Sequence, residues 1–222
     1  MLQAATLKFL KDLKKKNNKP WFDAHRKQYE DAKLDFAKFI QTVIDKHGAK
    51  DKTISHLVAK DCMFRINRDV RFAKDKSPYK TNMGAFINKA GKKSTLGGYY
   101  FHLEPGGAFT GGGLYVPQPE DLRKVRQEID YNFDDFKKIV GSKKFKTVFK
   151  DLDRSDEFVL SRVPKGYEPD NPAAEYLKLK SQIAMVSLSD ADLTSANALK
   201  KTLEAFATLQ PLLEFLNEAV EA

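Results

Sequence analysis

Residues 97–116 read GGYYFHLEPGGAFTGGGLYV, and this stretch decides the class of fold. Tyr99, Phe101 and Leu103 alternate with Tyr100, His102 and Glu104. That is the period of a strand with one buried face. Pro105-Gly106-Gly107 supplies a turn, and Ala108 to Tyr115 returns, so the stretch predicts an antiparallel hairpin. Gly111-Gly112-Gly113 weakens the interior of the returning strand, which points to a bulge or to close approach of another backbone. Met83 to Ile87 and Ala184 to Leu188 read as further strands.

Helical spacing surrounds these strands. Leu7, Leu10 and Leu13 line one side of Ala4 to Lys16, with lysines on the other. Asn17 and Asn18 break that helix, and a long second one is expected from Pro20 to Gly48, capped by Asn and closed by Gly. Trp21 and His25 share a face of it, which makes His25 a packing residue. Pro119-Glu120-Asp121 opens a helix through Leu122, Val125 and Ile129. One or two short helices follow over 132–152, then a Pro-rich crossing into another short helix. Ser195 to Val220 forms an amphipathic helix that Pro211 should kink or split. With no repeat and no clear linker, a single α+β domain over 1–222 is expected, helices packed around an antiparallel sheet.

The 222 residues are 41% hydrophobic and 31% charged, with sixteen Phe and eight Tyr, which suits a globular protein with an aromatic core. The net charge of +9 favours anionic partners without demanding them. The single cysteine, Cys62, excludes a disulfide framework and a zinc site built on Cys pairs, and beside Met63 and Phe64 it reads as a small buried apolar residue. The N-terminus lacks the order of a signal peptide, and no stretch approaches the ~20 apolar residues of a membrane span. A cytoplasmic location with no membrane partner is therefore expected.

Residues 65–82, RINRDVRFAKDKSPYKTN, concentrate the charge. Six of the eighteen side chains are cationic against two acids, which is +4 of the chain's +9. Alternation over 64–72 predicts a strand with Arg68 on the face of Ile66 and Val70, and with Arg65, Asp69 and Arg71 opposite. Lys74 to Lys80 then form a loop around Ser77-Pro78. Guanidinium forks match phosphate or carboxylate oxygens in pairs, so Arg65, Arg68, Arg71, Lys76 and Lys80 are candidate anion ligands, with Asp69 orienting the arginines. Asp69, Tyr79 and His102 are the candidate proton-handling residues. His102 and Glu104, two apart on one strand face, also carry metal-ligand chemistry, but no spacing nominates a third ligand, and two ordinary polar residues on a solvated face is the simpler reading.

The glycine-rich turn at 105–113 could place backbone amides beside the basic stretch, or simply answer a packing need. It is not a Walker loop or a dinucleotide fingerprint, and no G-x-S-x-G elbow or helical H-E-x-x-H occurs, so no cofactor and no metal is expected.

The run Arg65, Arg68, Asp69, Arg71, Phe72, Lys76, Tyr79 fits R-x-x-R-D-x-R-F-x-x-x-K-x-x-Y. This resembles the pattern that marks the bacterial family of unknown function 2461. NNKPWFDAHRKQY (17–29), YYFHLEPGGAFTGGGLY (99–115) and PKGYEPDNPAAEYLKLKS (164–181) are similar to segments of the same family, so the resemblance spans nearly the whole chain. It implies one domain of about this length and carries no established activity. In the family His is frequent at the position held here by Asn171, a departure that weakens the idea of a catalytic base in that loop. The pattern consists of polar rather than core positions, which raises the standing of the basic stretch as a site.

Three readings stay open. The first is a phosphate or small-anion site, in a binding protein or in an enzyme. The second is a nucleic-acid module that uses Phe72, Tyr79, Tyr99, Tyr100 and Phe101 as stacking groups, which requires them to be exposed. The third is an Arg–Asp network that holds the fold or serves protein interaction, in an oligomeric state that the sequence leaves open.

Overall fold

Apolar residues recur at helical spacing at both ends of the chain and at period two in its middle, and the computed structural model, which describes residues 1–222, follows that division. In chain order the elements are α1 (Ala4–Lys15), α2 (Lys19–Ala24), α3 (Arg26–Gly48), α4 (Ala59–Cys62), β1 (Met83–Ile87), β2 (Gly98–Leu103) and β3 (Ala108–Leu114). Then come α5 (Pro119–Tyr131), α6 (Phe133–Gly141), α7 (Lys143–Phe149), α8 (Ala174–Leu177), β4 (Gln182–Leu188), α9 (Asp190–Leu193) and α10 (Asn197–Glu221). The four strands form one antiparallel sheet in the order β1-β2-β3-β4, and the fold is α+β. No helix is long and apolar enough to cross a membrane.

The chain divides into two compact units, and β2, β3 and α10 contribute residues to each. Met1–Lys92, Tyr100–Thr110 and Ser187–Leu203 make the first. In it α1 packs on α3 through buried Leu10, Leu13, Phe36, Ile40 and Ile44. Gln3 N and Thr6 Oγ1 donate to Asp35 Oδ2 at 2.9 and 2.6 Å, tying the start of α1 to α3. The buried ring of Phe101 on β2 lies 4.8 Å from Phe39 and 6.1 Å from Phe36, so the inner face of β2 is held by α3. Lys93–Tyr99, Gly111–Val186 and Glu204–Ala222 make the second unit. Its core gathers Val125, Ile129, Phe136, Val140 and Leu177 with Leu209, Leu212 and Leu216 of α10. Arg126 of α5 donates to the carbonyls of Leu177 and Leu179 at 2.8 and 3.2 Å, serving acceptors at the end of α8.

Two helical expectations change. The long helix over 20–48 is interrupted at His25, whose backbone leaves the helical region (φ −112, ψ 18). The imidazole is within 2.7 Å of the Trp21 carbonyl at Nδ1 and stacks on the indole at 4.1 Å, so side-chain bonding to the preceding turn competes with continuation of the helix. The expected Asn cap is present, with Asn18 accepting from Trp21 N at 2.9 Å. Conversely, α10 runs unbroken through Pro211. Burial of Leu209, Leu212 and Leu213 around the proline outweighs the ~3 kcal/mol it costs a helix interior.

Candidate functional site

The alternating stretch 64–72 forms no strand. Phe64 N donates to Gly84 O at 3.0 Å, and beyond it pairing is reduced to Arg68 N to Pro78 O (2.9 Å) and Lys80 N to Ile66 O (2.8 Å), around the bridge of Asn67 with Tyr79. The ladder stops there for two reasons. Pro78 has no amide hydrogen to offer. The Asp75 carboxylate accepts from Ser77 N and Ser77 Oγ at 2.9 and 2.6 Å, closing a side-chain turn instead of a strand. The expected division of Arg68 from Arg65, Asp69 and Arg71 between two strand faces therefore does not form, because the stretch is a largely exposed loop whose ends alone are anchored.

The anchor is Tyr79, only 6% exposed, its ring stacked on Phe22 at 3.9 Å. The Asn17 amide donates to Tyr79 O (2.8 Å) and accepts from Tyr79 N (3.1 Å). This candidate hydroxyl thus stands with the aromatic cluster and not among the cations. Asp69, another candidate, is bound to Arg71 through both oxygens, at 2.9 Å to Nε and 2.6 Å to Nη2. That guanidinium holds its carboxyl below the usual range. Arg68 pairs with Asp75, and Lys76 Nζ donates to the Val70 carbonyl at 3.0 Å.

Three of the five proposed anion ligands are thus engaged within the loop. The other two differ. Neither Arg65 nor Lys80 forms a salt bridge, although the Arg65 charge reaches Asp69, and each lies next to a residue that anchors the loop, Ile66 and Tyr79. Burial pushes the Lys80 amine down, and the Arg65 charge pushes it further the same way. Lys80 Nζ sits 5.5 Å from the centre of the Phe64 ring, itself 42% exposed.

From Phe64 a chain of contacts leads onto the outer face of β2. The Phe64 and Tyr100 rings are 6.5 Å apart. Tyr100 Oη lies 3.1 Å from His102 Nδ1, and His102 Nε2 lies 3.3 Å from Glu104 Oε2. Lys14 of α1 pairs with Glu104 at 3.3 Å, and Phe109 of β3 stacks on the imidazole at 4.7 Å and 9°. The alternation of β2 produces this row, since Tyr99, Phe101 and Leu103 go to the core while Tyr100, His102 and Glu104 stay half-buried on the other face. His102 and Glu104 are therefore more than two solvated polar residues, and Tyr100, unmarked as a proton-handling candidate by the sequence, is the third member. The i, i+2, i+4 spacing of hydroxyl, imidazole and carboxylate was the available signal.

The glycines play a structural part. At Gly112 and Gly113 the backbone takes φ values of 154° and 130°. A Cβ at Gly113 would run into the Gln182 carbonyl and lie 2.8 Å from Ile183 Cα, and one at Gly112 would run into the Gly98 carbonyl. Close approach of neighbouring strands is the reason for the triplet. In the turn, Gly106 N donates to Asp190 Oδ1 at 2.9 Å, so that amide serves a carboxylate of the protein itself. Of the aromatic residues named for base stacking, Tyr79, Tyr99 and Phe101 are buried, Tyr100 is half-buried and Phe72 is 96% exposed. Asn171, in the Pro-rich crossing, donates to Asp130 at 2.5 Å and accepts from Ala173 N at 2.7 Å, holding the start of α8.

Burial pushes the His102 imidazole below its ordinary 6.5 although Glu104 pulls upward, and burial lowers His47 likewise, there against Asp51. Both rings therefore take up protons at lower pH in the folded chain than in the unfolded chain. Stability is therefore full above about pH 6.5 and falls as pH drops below it. Melting curves from pH 8 to pH 5 should show this decline, and His102→Asn should make it shallower; an equally steep decline in that variant would contradict the assignment.

No curated protein and no solved structure matches the chain. A family model does, over residues 5–215, which takes in the basic loop, the β2 row and the glycine-rich strand together. The chain thus belongs to the family of conserved hypothetical proteins DUF2461.

Proposed function

We propose that the protein binds a small anionic ligand, with phosphate as its simplest form, between Arg65 and Lys80, with Phe64 as an apolar shelf for whatever the anion carries. One observation supports this above the rest: two cations close enough to oppose each other's charge, one of them half-buried, neither in a salt bridge, with nearby Asp69 held through both oxygens by Arg71. Like charges held together cost free energy that a bridging anion returns. A guanidinium fork and a lysine point charge are complementary ligands for phosphate oxygens. Arg68, Arg71 and Lys76 shape the loop in this reading and do not touch the ligand.

The test is titration calorimetry with inorganic phosphate and with a nucleoside monophosphate. Arg65→Ser and Lys80→Ser should each weaken binding about tenfold, or about 1.4 kcal/mol, while Arg71→Ser leaves it within about twofold because that guanidinium is taken up by Asp69 and the exposed Phe72 ring. Unchanged binding in the Arg65→Ser/Lys80→Ser double variant would reject the reading. If a single-stranded oligonucleotide binds far more tightly than the monophosphate, with a steep salt dependence, the ligand is nucleic acid.

A further inference from the structure

We propose that Tyr100 is a reactive phenol, with His102 as its base and Glu104 as the group that positions the imidazole, and that it removes a proton from an acidic O–H of the ligand lying on Phe64. The ligand class rests on the anion reading above; the reactivity of Tyr100 does not.

Geometry carries the argument. Glu104 Oε2 faces Nε2, so the carboxylate accepts Nε2–H and selects that tautomer. Nδ1 is then the acceptor, and Tyr100 Oη at 3.1 Å is its donor. Hydroxyl, base and orienting carboxylate stand in the order that activates a nucleophile, here on one strand face with no turn intervening. Phe109 holds the ring flat from one side at 4.7 Å. The groups facing the imidazole are Tyr100 from β2, Glu104 immediately after that strand and apolar Phe109 from β3, with Lys14 of α1 reaching only Glu104. The phenol oxygen lies over Gly84 of β1, where a Cβ would stand 2.6 Å from it, so the glycine leaves the hydroxyl the room it occupies.

The step balances. The Tyr100 proton passes to His102 Nδ1 as the phenol oxygen takes the ligand's proton. The products are the ligand's conjugate base, a neutral phenol, and an imidazolium beside the Glu104 carboxylate.

Phenylsulfonyl fluoride tests the phenol without any knowledge of the ligand. The Tyr100 oxygen attacks sulfur, an S–O bond forms, the S–F bond breaks, fluoride leaves, and the phenolic proton goes to His102. Peptide mass mapping compares Tyr100 with Tyr115 and Tyr131, which are 66% and 73% exposed. Tyr100 should label at least about tenfold faster than either despite its greater burial, and His102→Asn and Glu104→Gln should each remove most of the advantage. Gly84→Ala, which displaces the hydroxyl, should do the same with the triad residues intact. Circular dichroism confirms folding of each variant, and nitrogen-15 spectra of the wild-type imidazole should show the Nε2–H form. Labelling of Tyr100 no faster than Tyr131, an unchanged rate in folded His102→Asn, or an Nδ1–H imidazole overturns the proposal. Fast, His102-dependent labelling in a protein that binds no phosphate would keep the reactive phenol and reject only the anion reading.

Discussion

Gly113→Ala should lower the thermal transition by about 10 °C, the consequence of roughly 3 kcal/mol or more lost. Two terms add. The backbone at 113 sits at φ 130°, a region that L side chains rarely adopt. The new Cβ meets the Gln182 carbonyl and Ile183 Cα at 2.8 Å, which are backbone atoms of the adjoining β4 and have no rotamer to change. Relief requires β3 and β4 to separate, at the cost of ladder hydrogen bonds. Gly141→Ala is the control. It lies at the end of α6, where an added Cβ meets nothing within 4 Å, and should be neutral or stabilising by about 0.4–1 kcal/mol. If circular dichroism melts place the two variants within 2 °C of each other, the close approach of β3 to β4 is refuted.

Phe101→Ala should cost about 3–5 kcal/mol, the range for a large ring removed from a core that cannot collapse onto the space. Phe101 is fully buried, and its ring is the contact through which β2 meets Phe36 and Phe39 of α3. Phe101→Leu keeps much of the apolar volume and should lose less than half as much. Urea denaturation measures both. The outer face of the same strand is the more informative readout. Tyr100, His102 and Glu104 are held by the strand that Phe101 pins, so the alanine variant should also loosen the row and lose fast Tyr100 labelling in its folded fraction, while the leucine variant retains it. Equal stability of the two variants would show that α3 does not hold β2 through this ring.

Several parts of the molecule were legible because they rest on local rules. The hairpin of β2 and β3 follows from Tyr99, Phe101 and Leu103 alternating with polar partners around Pro105-Gly106-Gly107. Asn18 capping Trp21 N and Pro119 opening α5 are end-group chemistry written in adjacent residues. Cys62 is buried, as its apolar neighbours suggest, and burial raises its thiol. The misreadings also have local form but a distant cause. Residues 64–72 alternate like a strand, yet strand formation needs a partner along the whole length, and Pro78 with the Asp75–Ser77 turn withholds it. His25 ended a helix through a bond to the Trp21 carbonyl that no spacing rule anticipates. The short α9, with its reciprocal Ser189–Asp192 capping box, went unread because four residues are too few to show a period.

By itself the sequence determined an α+β fold, its hairpin, the stretch that holds nearly half the net charge, and membership of a family through residues spread over the whole chain. Those features depend on residue order and short-range spacing, which the chain states directly. Tertiary structure alone decided which cations are engaged. Arg68 meets Asp75 and Arg71 meets Asp69, whereas Arg65 and Lys80, fifteen positions apart, lie within range of each other's charge and neither forms a salt bridge. It also decided that His102 has a hydroxyl on one nitrogen and a carboxylate on the other, and that Gly113 is needed because another backbone occupies the space of its missing side chain. The reason is physical: charge pairing, desolvation and excluded volume act between atoms through space, at distances of a few ångströms that the order of residues does not contain.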